Sequence, residues 1–204
     1  MSENEKTVQG NAANVELEKM NRTIDKNRRY CTIDESLAEM LVTQLGKELS
    51  NKHLYATFAN FFETEGLPLL GEYFRKRSAE EELHHKWIFE YLCYNDVCFQ
   101  YPAVGSINVD VKNRVEPFLL TVDKEIETTM GINKIYEKAV ELKDWATAGW
   151  LMGNGPIDGK LIPEQIEEES VSRTIAYMAQ EENASWLIKQ HSIFSFYNNY
   201  PNMK

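Results

Sequence analysis

Apolar residues recur at steps of three and four over most of this chain, the spacing of one face of a helix. Leu41, Leu45, Tyr55, Ala59 and Phe62 form one such stripe, within a helix running from about Thr32 to Glu63. Thr32 and Glu35 have capping-box spacing and mark its start. Gly66-Leu67-Pro68 makes a tight turn, and a second helix follows from Pro68 to about Tyr94, with Leu70, Phe74, Ile88 and Tyr91 on one face. So short a link makes the two helices antiparallel neighbours. Residues 95–114 contain Pro102, Gly105 and several β-branched residues without a clean period. A crossover of that length can return the chain to its starting end. A third helix spans about Val115 to Lys143, striped by Phe118, Val122, Thr129, Ile132, Tyr136 and Ala139. A short apolar piece, Trp145 to Met152, precedes a run of Gly and Pro that no helix can continue. Pro163 then opens a fourth long helix, to about Glu182, with Ser172, Ile175 and Met178 in line. The last helix, from Ala184 to about Tyr197, carries Trp186, Leu187, Ile188, Ile193, Phe194 and Phe196. So apolar a terminal helix suggests burial in an oligomer. The pattern predicts an all-α fold, a four-helix bundle with a long crossover and a short fifth helix. Residues 1–31 are read as a mobile N-terminal extension, and 32–200 as one domain interrupted at 153–163.

Each long stripe is broken by a carboxylate. Glu48 lies in the first, Glu81 in the second, Glu125 in the third and Glu168 in the fourth. In Ser78-Ala-Glu-Glu-Glu-Leu-His-His85, Glu81 and His84 are spaced i, i+3 and leave the same face. Gln165 stands one turn from Glu168, and Tyr55 two turns from Glu48. An unpaired carboxylate is costly to bury, so something in the core must compensate, and a metal cation is the leading candidate. Four carboxylates balance two divalent ions. Carboxylate with imidazole suits iron or manganese, with zinc able to compete. Gln165 either ligates or hydrogen-bonds a ligand, and Tyr55 is within reach of one.

Composition narrows the partners. The 204 residues suffice for one domain with a sizeable core, and the formal net charge is −10. That balance disfavours nucleic acid and anionic membrane and suits a protein that attracts cations. The first residues are polar, with no secretory signal, and no stretch approaches the roughly 20 apolar residues of a membrane helix. Three cysteines, Cys31, Cys93 and Cys98, lack Cys-x-x-Cys spacing, so a reducing cytoplasm is the expected setting.

Taken together, the motifs resemble those of the ferritins, and most closely the bacterial non-haem ferritins. The resemblance covers about Asp34 to Tyr197. It rests on Glu48 with Tyr55, Arg75-Lys-Arg-Ser-Ala-Glu-Glu-Glu-Leu-His84, Glu125 with Ile132-Asn-Lys-Ile135, and Glu164-Gln-Ile-Glu-Glu168. It implies a ferroxidase site of Glu48, Glu81, His84 and Glu125, completed by Gln165 and Glu168. It further implies that Glu80, Glu164 and Glu167 match positions binding a third iron, and that Tyr55 is a one-electron donor beside the site. Iron would be taken as Fe(II), two ions per subunit, oxidised by O₂ or H₂O₂ and stored as Fe(III) mineral in a homo-oligomeric cage of roughly twenty-four subunits. Haem is not expected, because the haem-binding relatives carry Glu-x-x-His and a Met where this chain has Gln165-x-x-Glu168 and Glu82.

Two departures stand out. The interruption at 153–163 falls where the family has a continuous helix lining a three-fold channel, and the segment before Asp34 is longer than usual. The interruption keeps open a dinuclear carboxylate oxidase or peroxidase that stores nothing. A third reading is a structural bundle whose carboxylates never hold metal.

Overall fold

The computed structural model describes residues 33–200. They contain six helices and no strand: α1 (Glu35–Thr64), α2 (Pro68–Tyr94), α3 (Glu116–Glu141), α4 (Trp145–Leu151), α5 (Leu161–Gln180) and α6 (Trp186–Asn198). The N-terminal extension, with Cys31 and Thr32, lies outside the described residues. None of the described helices is long and apolar enough to cross a membrane.

Helix α1 starts at Glu35, capped by Asp34, whose carboxylate accepts the Ser36 N–H at 2.9 Å. An aspartate there answers an orphan donor and the positive helix end together, so the cap falls two residues after the one expected at Thr32. The reversal after Thr64 needs a left-handed residue, and Gly66 supplies it with φ +72°. Pro68 then begins α2 with its φ already helical. α1 pairs with α2, α3 pairs with α5, and α1 also packs on α3.

The core divides into two apolar clusters. One gathers Phe58 and Phe62 of α1, Tyr73 and Phe74 of α2, Phe118 of α3, Ile175 of α5 and Ile193 of α6. Its rings meet closely, Phe58 on Phe74 at 5.3 Å and Phe62 on Phe118 at 5.4 Å. Such pairs add about 0.5–1.5 kcal/mol each beyond the area they bury. The other cluster gathers Leu37, Leu41 and Leu45 of α1, Trp87, Ile88 and Tyr91 of α2, Ile132 and Ile135 of α3, and Trp150 of α4. The crossover spans both: Val97 and Phe99 pack on the second cluster, Ile107 and Val109 on the first. It therefore carries the chain back along the bundle, and α3 starts at the same end as α2.

On α3 the buried line is Phe118, Thr121, Glu125, Thr128, Ile132, Ile135 and Ala139, an alternation of three and four. Val122, Thr129 and Tyr136, expected in that line, sit half-buried at its flank. Two threonines take the interior instead, because their hydroxyls find partners there. Thr121 donates to the Pro117 carbonyl and Thr128 accepts from Asn51. On α5, Met178 is likewise half-buried, while Ala179 is enclosed.

The interruption after α4 is folded over one tryptophan. Trp150 stacks on Tyr91 at 3.9 Å, and its Nε1 donates to the Asp158 carbonyl at 3.0 Å. Gly159 lies against the same indole so closely that a Cβ would stand 1.9 Å from Nε1. At the C-terminal end, α6 folds back onto α2 and α5. Lys189 and Gln190, polar yet buried, explain its seat. The Lys189 ammonium donates to the Ala179 carbonyl at 2.7 Å, where α5 runs out of partners, and the Gln190 side chain accepts the Leu69 N–H at the start of α2. Ile193 and Tyr197 are enclosed by this docking, whereas Leu187 and Ile188 stay 64% and 59% exposed. Cys93 and Cys98 are exposed thiols rather than packing residues.

Candidate metal centre

Between the two apolar clusters runs a polar belt. α1 contributes Glu48, α2 Arg77, Glu81 and His84, α3 Glu125, and α5 Gln165 and Glu168, all of them buried. Taking charged groups out of water costs several kcal/mol per ion unless partners compensate. The aromatic packing on either side holds them there.

The ligand-type atoms fall into two groups. Glu48, Glu81 and His84 offer atoms within 4.8 Å of one another, and so do Glu81, Glu125 and Glu168. Glu81 belongs to both, so the two groups are neighbours sharing a carboxylate. The oxygens are unevenly satisfied. Glu48 Oε1 accepts from Gln44 at 2.7 Å, but Glu48 Oε2, Glu81 Oε2 and Glu168 Oε2 are buried without a hydrogen-bond donor. Buried carboxylate oxygens with no donor carry the full cost of lost solvation. A divalent cation would repay it, and oxygen with imidazole nitrogen is a donor set such an ion accepts.

Glu125 is different. Its Oε1 accepts from the Tyr55 hydroxyl and from Arg77, and its Oε2 accepts from Gln165 at 2.8 Å. Tyr55 thus touches the centre through Glu125 of α3 rather than through Glu48 on its own helix, and Gln165 acts here as a donor to a carboxylate. Arg77 is fully buried, and its guanidinium also reaches Glu80 at 2.8 Å and Glu168 at 3.4 Å. It lies over the Tyr55 ring, 5.5 Å from the centroid. The sequence reading gave Arg77 no role, because an arginine at the end of a run of cations on a helix reads as solvated. The available signal was spacing: Arg77 precedes Glu81 by one turn and shares its face.

Electrostatics follow from burial. Burial, reinforced by the charge of Glu81, holds the Glu48 carboxyl well above its ordinary range. Burial likewise raises Glu81, and it pushes Glu168 up to about 8 although His84 and Arg77 pull the other way. For His84 burial favours the neutral ring, but Glu168, Glu164 and Glu81 outweigh it and raise the imidazole well above its usual value. Burial, then the Glu125 charge, raises the Tyr55 phenol well above its ordinary value.

A cleft of about 440 Å³ opens beside the belt and reaches His84 and Glu168. Glu80, Glu164 and Glu167 stand along it, with Lys76 and Lys160 among them. Glu164 is engaged by His84 at 3.2 Å and Lys160 at 2.9 Å. Glu80 accepts from Arg77 on one oxygen and from the Tyr197 hydroxyl of α6 on the other.

Comparisons with known proteins bear on the family and the fold. A bacterial non-heme ferritin of Staphylococcus aureus is 26% identical over 162 residues, covering 78% of this chain and 93% of that one. Ferritin BfrB of Mycobacterium tuberculosis is 22% identical over 146 residues, covering 72% of this chain and 77% of its own. Among solved structures, an engineered closed form of the Archaeoglobus fulgidus ferritin superposes with a TM-score of 0.72 at 24% identity, covering 80% of this chain and 97% of that one. The ferritin of Chlorobium tepidum gives 0.69 at 22% identity, covering 81% and 94%. The family model of the ferritin-like domain matches residues 38–154, more than half of the chain and up to the interruption before α5, so the chain belongs to the ferritin family.

Proposed function

We propose that this protein binds Fe(II) in the polar belt, oxidises it, and stores the Fe(III) as mineral within a homo-oligomer. The observation that carries the reading is the set of donorless buried oxygens on Glu48, Glu81 and Glu168, in two groups that share Glu81. Iron is the substrate. One ion takes Glu48, Glu81 and His84, and a second takes Glu81, Glu125 and Glu168, with Gln165 hydrogen-bonding the ligand Glu125. Each ion surrenders one electron. Molecular oxygen receives two electrons and two protons to leave as hydrogen peroxide, or hydrogen peroxide receives two of each to leave as two waters. The buried carboxylates neutralise the product cations and hold them close enough for one oxidant to draw from both. Tyr55, bonded to Glu125, is placed to pass a further electron. Glu80, Glu164 and Glu167 line the cleft as an acidic route and a third iron station.

The test is an anaerobic Fe(II) titration followed by exposure to O₂, read by absorbance. The wild type is expected to bind about two ions per chain and to oxidise them at least about a hundredfold faster than buffer. Glu81→Gln, which removes the shared ligand, is expected to lose both properties while keeping its helical circular dichroism. A folded Glu81→Gln protein with wild-type binding and rate overturns the reading. The interruption, a loop over residues 152–160 between α4 and α5, keeps a non-storing dinuclear oxidase as the second reading. Sizing separates them, since a large closed assembly supports storage and a dimer supports the oxidase.

A further inference from the structure

The two halves of the centre are not equivalent, and Arg77 makes the difference. In the first half, Glu48 and Glu81 each present an oxygen without a donor, beside the His84 ring. In the second, Glu168 Oε2 is also without a donor, but both oxygens of Glu125 already hold donors, and the Arg77 guanidinium bridges Glu125 and Glu168. Arg77 is fully buried, and each of its terminal nitrogens is spent on carboxylates. A guanidinium does not shed its proton in a protein, so this is a fixed positive charge where a second metal ion would sit.

We propose that Arg77 is an internal cation occupying the second half-site, so that the centre loads unequally. This rests on reading the belt as a metal centre. The first divalent ion goes to Glu48, Glu81 and His84, where two carboxylate oxygens stand open and no guanidinium has to move. The second gains Glu125 and Glu168 only by displacing the guanidinium. Charge bookkeeping points the same way. The four ligand carboxylates carry four negative charges and Arg77 returns one, so one divalent ion leaves the centre singly negative and a second makes it singly positive. Cations at contact distance in a dry interior repel strongly, which sets the second binding step apart from the first. Arg77 keeps an anchor when displaced: Glu80, at 2.8 Å, lies toward the open cleft and is steadied by the Tyr197 hydroxyl. The arginine therefore holds the second position until an ion competes with it.

Zn(II), which takes the same ligands without redox chemistry, is the probe, titrated by calorimetry into metal-free protein. The wild type is expected to show one tight step and a second at least about tenfold weaker. Arg77→Gln is expected to bring the two steps together by tightening the second, and Arg77→Lys, which keeps the charge, is expected to preserve the gap. Two equal steps in the wild type, or an unchanged second step in folded Arg77→Gln, overturn the inference while leaving the metal centre standing. Folded protein that takes up no Zn(II) in any form overturns the metal centre itself. A wild-type crystal supplies the check that needs no variant. With one equivalent of Zn(II), anomalous scattering is expected at the Glu48 group alone. Equal peaks at both groups refute the unequal loading.

Discussion

At the residue scale, burial of Glu168 has a consequence for folding as well as for binding. Its carboxyl titrates at about 8 in the folded chain against an ordinary value of 4.5, with burial the largest cause. The groups facing it are Arg77, Glu80, Glu81 and His84 from α2 and Glu125 from α3, with Glu48 across the belt on α1. A group whose folded value is raised contributes stability that is complete below its unfolded value and is lost as pH climbs through the folded one. For Glu168 that window runs from about 4.5 to about 8. Glu48, Glu81 and His84 are shifted in the same direction and so add to the same trend. The metal-free protein is therefore expected to be less stable at pH 8 than at pH 6 in urea melts, and Glu168→Gln to flatten that slope. Metal reverses the sign, because ligands bind it as carboxylate and neutral imidazole. With saturating Zn(II) the midpoint is expected to rise over the same interval.

At the scale of elements, the loop before α5 is the most individual part of the chain. It is kept in place by one indole, stacked on Tyr91 and bonded to the Asp158 carbonyl. Gly159 has no room for a side chain, since a Cβ would fall onto the ring rather than onto a flexible end. Gly159→Ala is expected to cost about 1–3 kcal/mol, as overpacking of a closed site does. A guanidinium unfolding curve checks it, and a midpoint equal to wild type would show that the loop yields freely. This loop also marks the limit of what was legible from the amino-acid pattern. Helix bounds and the inward line of Glu48, Glu81, His84 and Glu168 were readable because apolar neighbours three and four residues away set the phase. The α3 line was read half correctly, since Thr121 and Thr128 look polar until their partners are known. Arg77 was missed for the same reason. A cation reads as surface unless the carboxylates that surround it, from α3 and α5, are already in place. Nor could local pattern show that Lys189 and Gln190 point inward, because what they satisfy are the ends of other helices.

At the scale of the whole molecule, the described chain buries its aromatic clusters well yet leaves large apolar side chains outside. On α6, Leu187 and Ile188 are adjacent, and both are largely exposed, while the opposite side of the helix is seated by Lys189, Gln190, Ile193 and Tyr197. A terminal helix that satisfies its polar groups inward and turns aliphatics outward is built to be covered by something else. In the proposed storage assembly that cover is another copy of the chain, because a closed homo-oligomer must bury one patch of every subunit. Each aliphatic side chain fully covered is worth about 1.5–3 kcal/mol, and the contact repeats around the shell. Placing a charge there changes a gain into a desolvation cost. Leu187→Glu with Ile188→Glu is therefore expected to shift the protein to smaller species in light scattering coupled to size exclusion. Neither residue belongs to the polar belt, so Zn(II) uptake per chain should persist in the smaller form. Unchanged mass for the doubly substituted protein would show that the assembly does not use this face. Loss of Zn(II) uptake together with mass would show instead that the metal centre depends on neighbouring subunits.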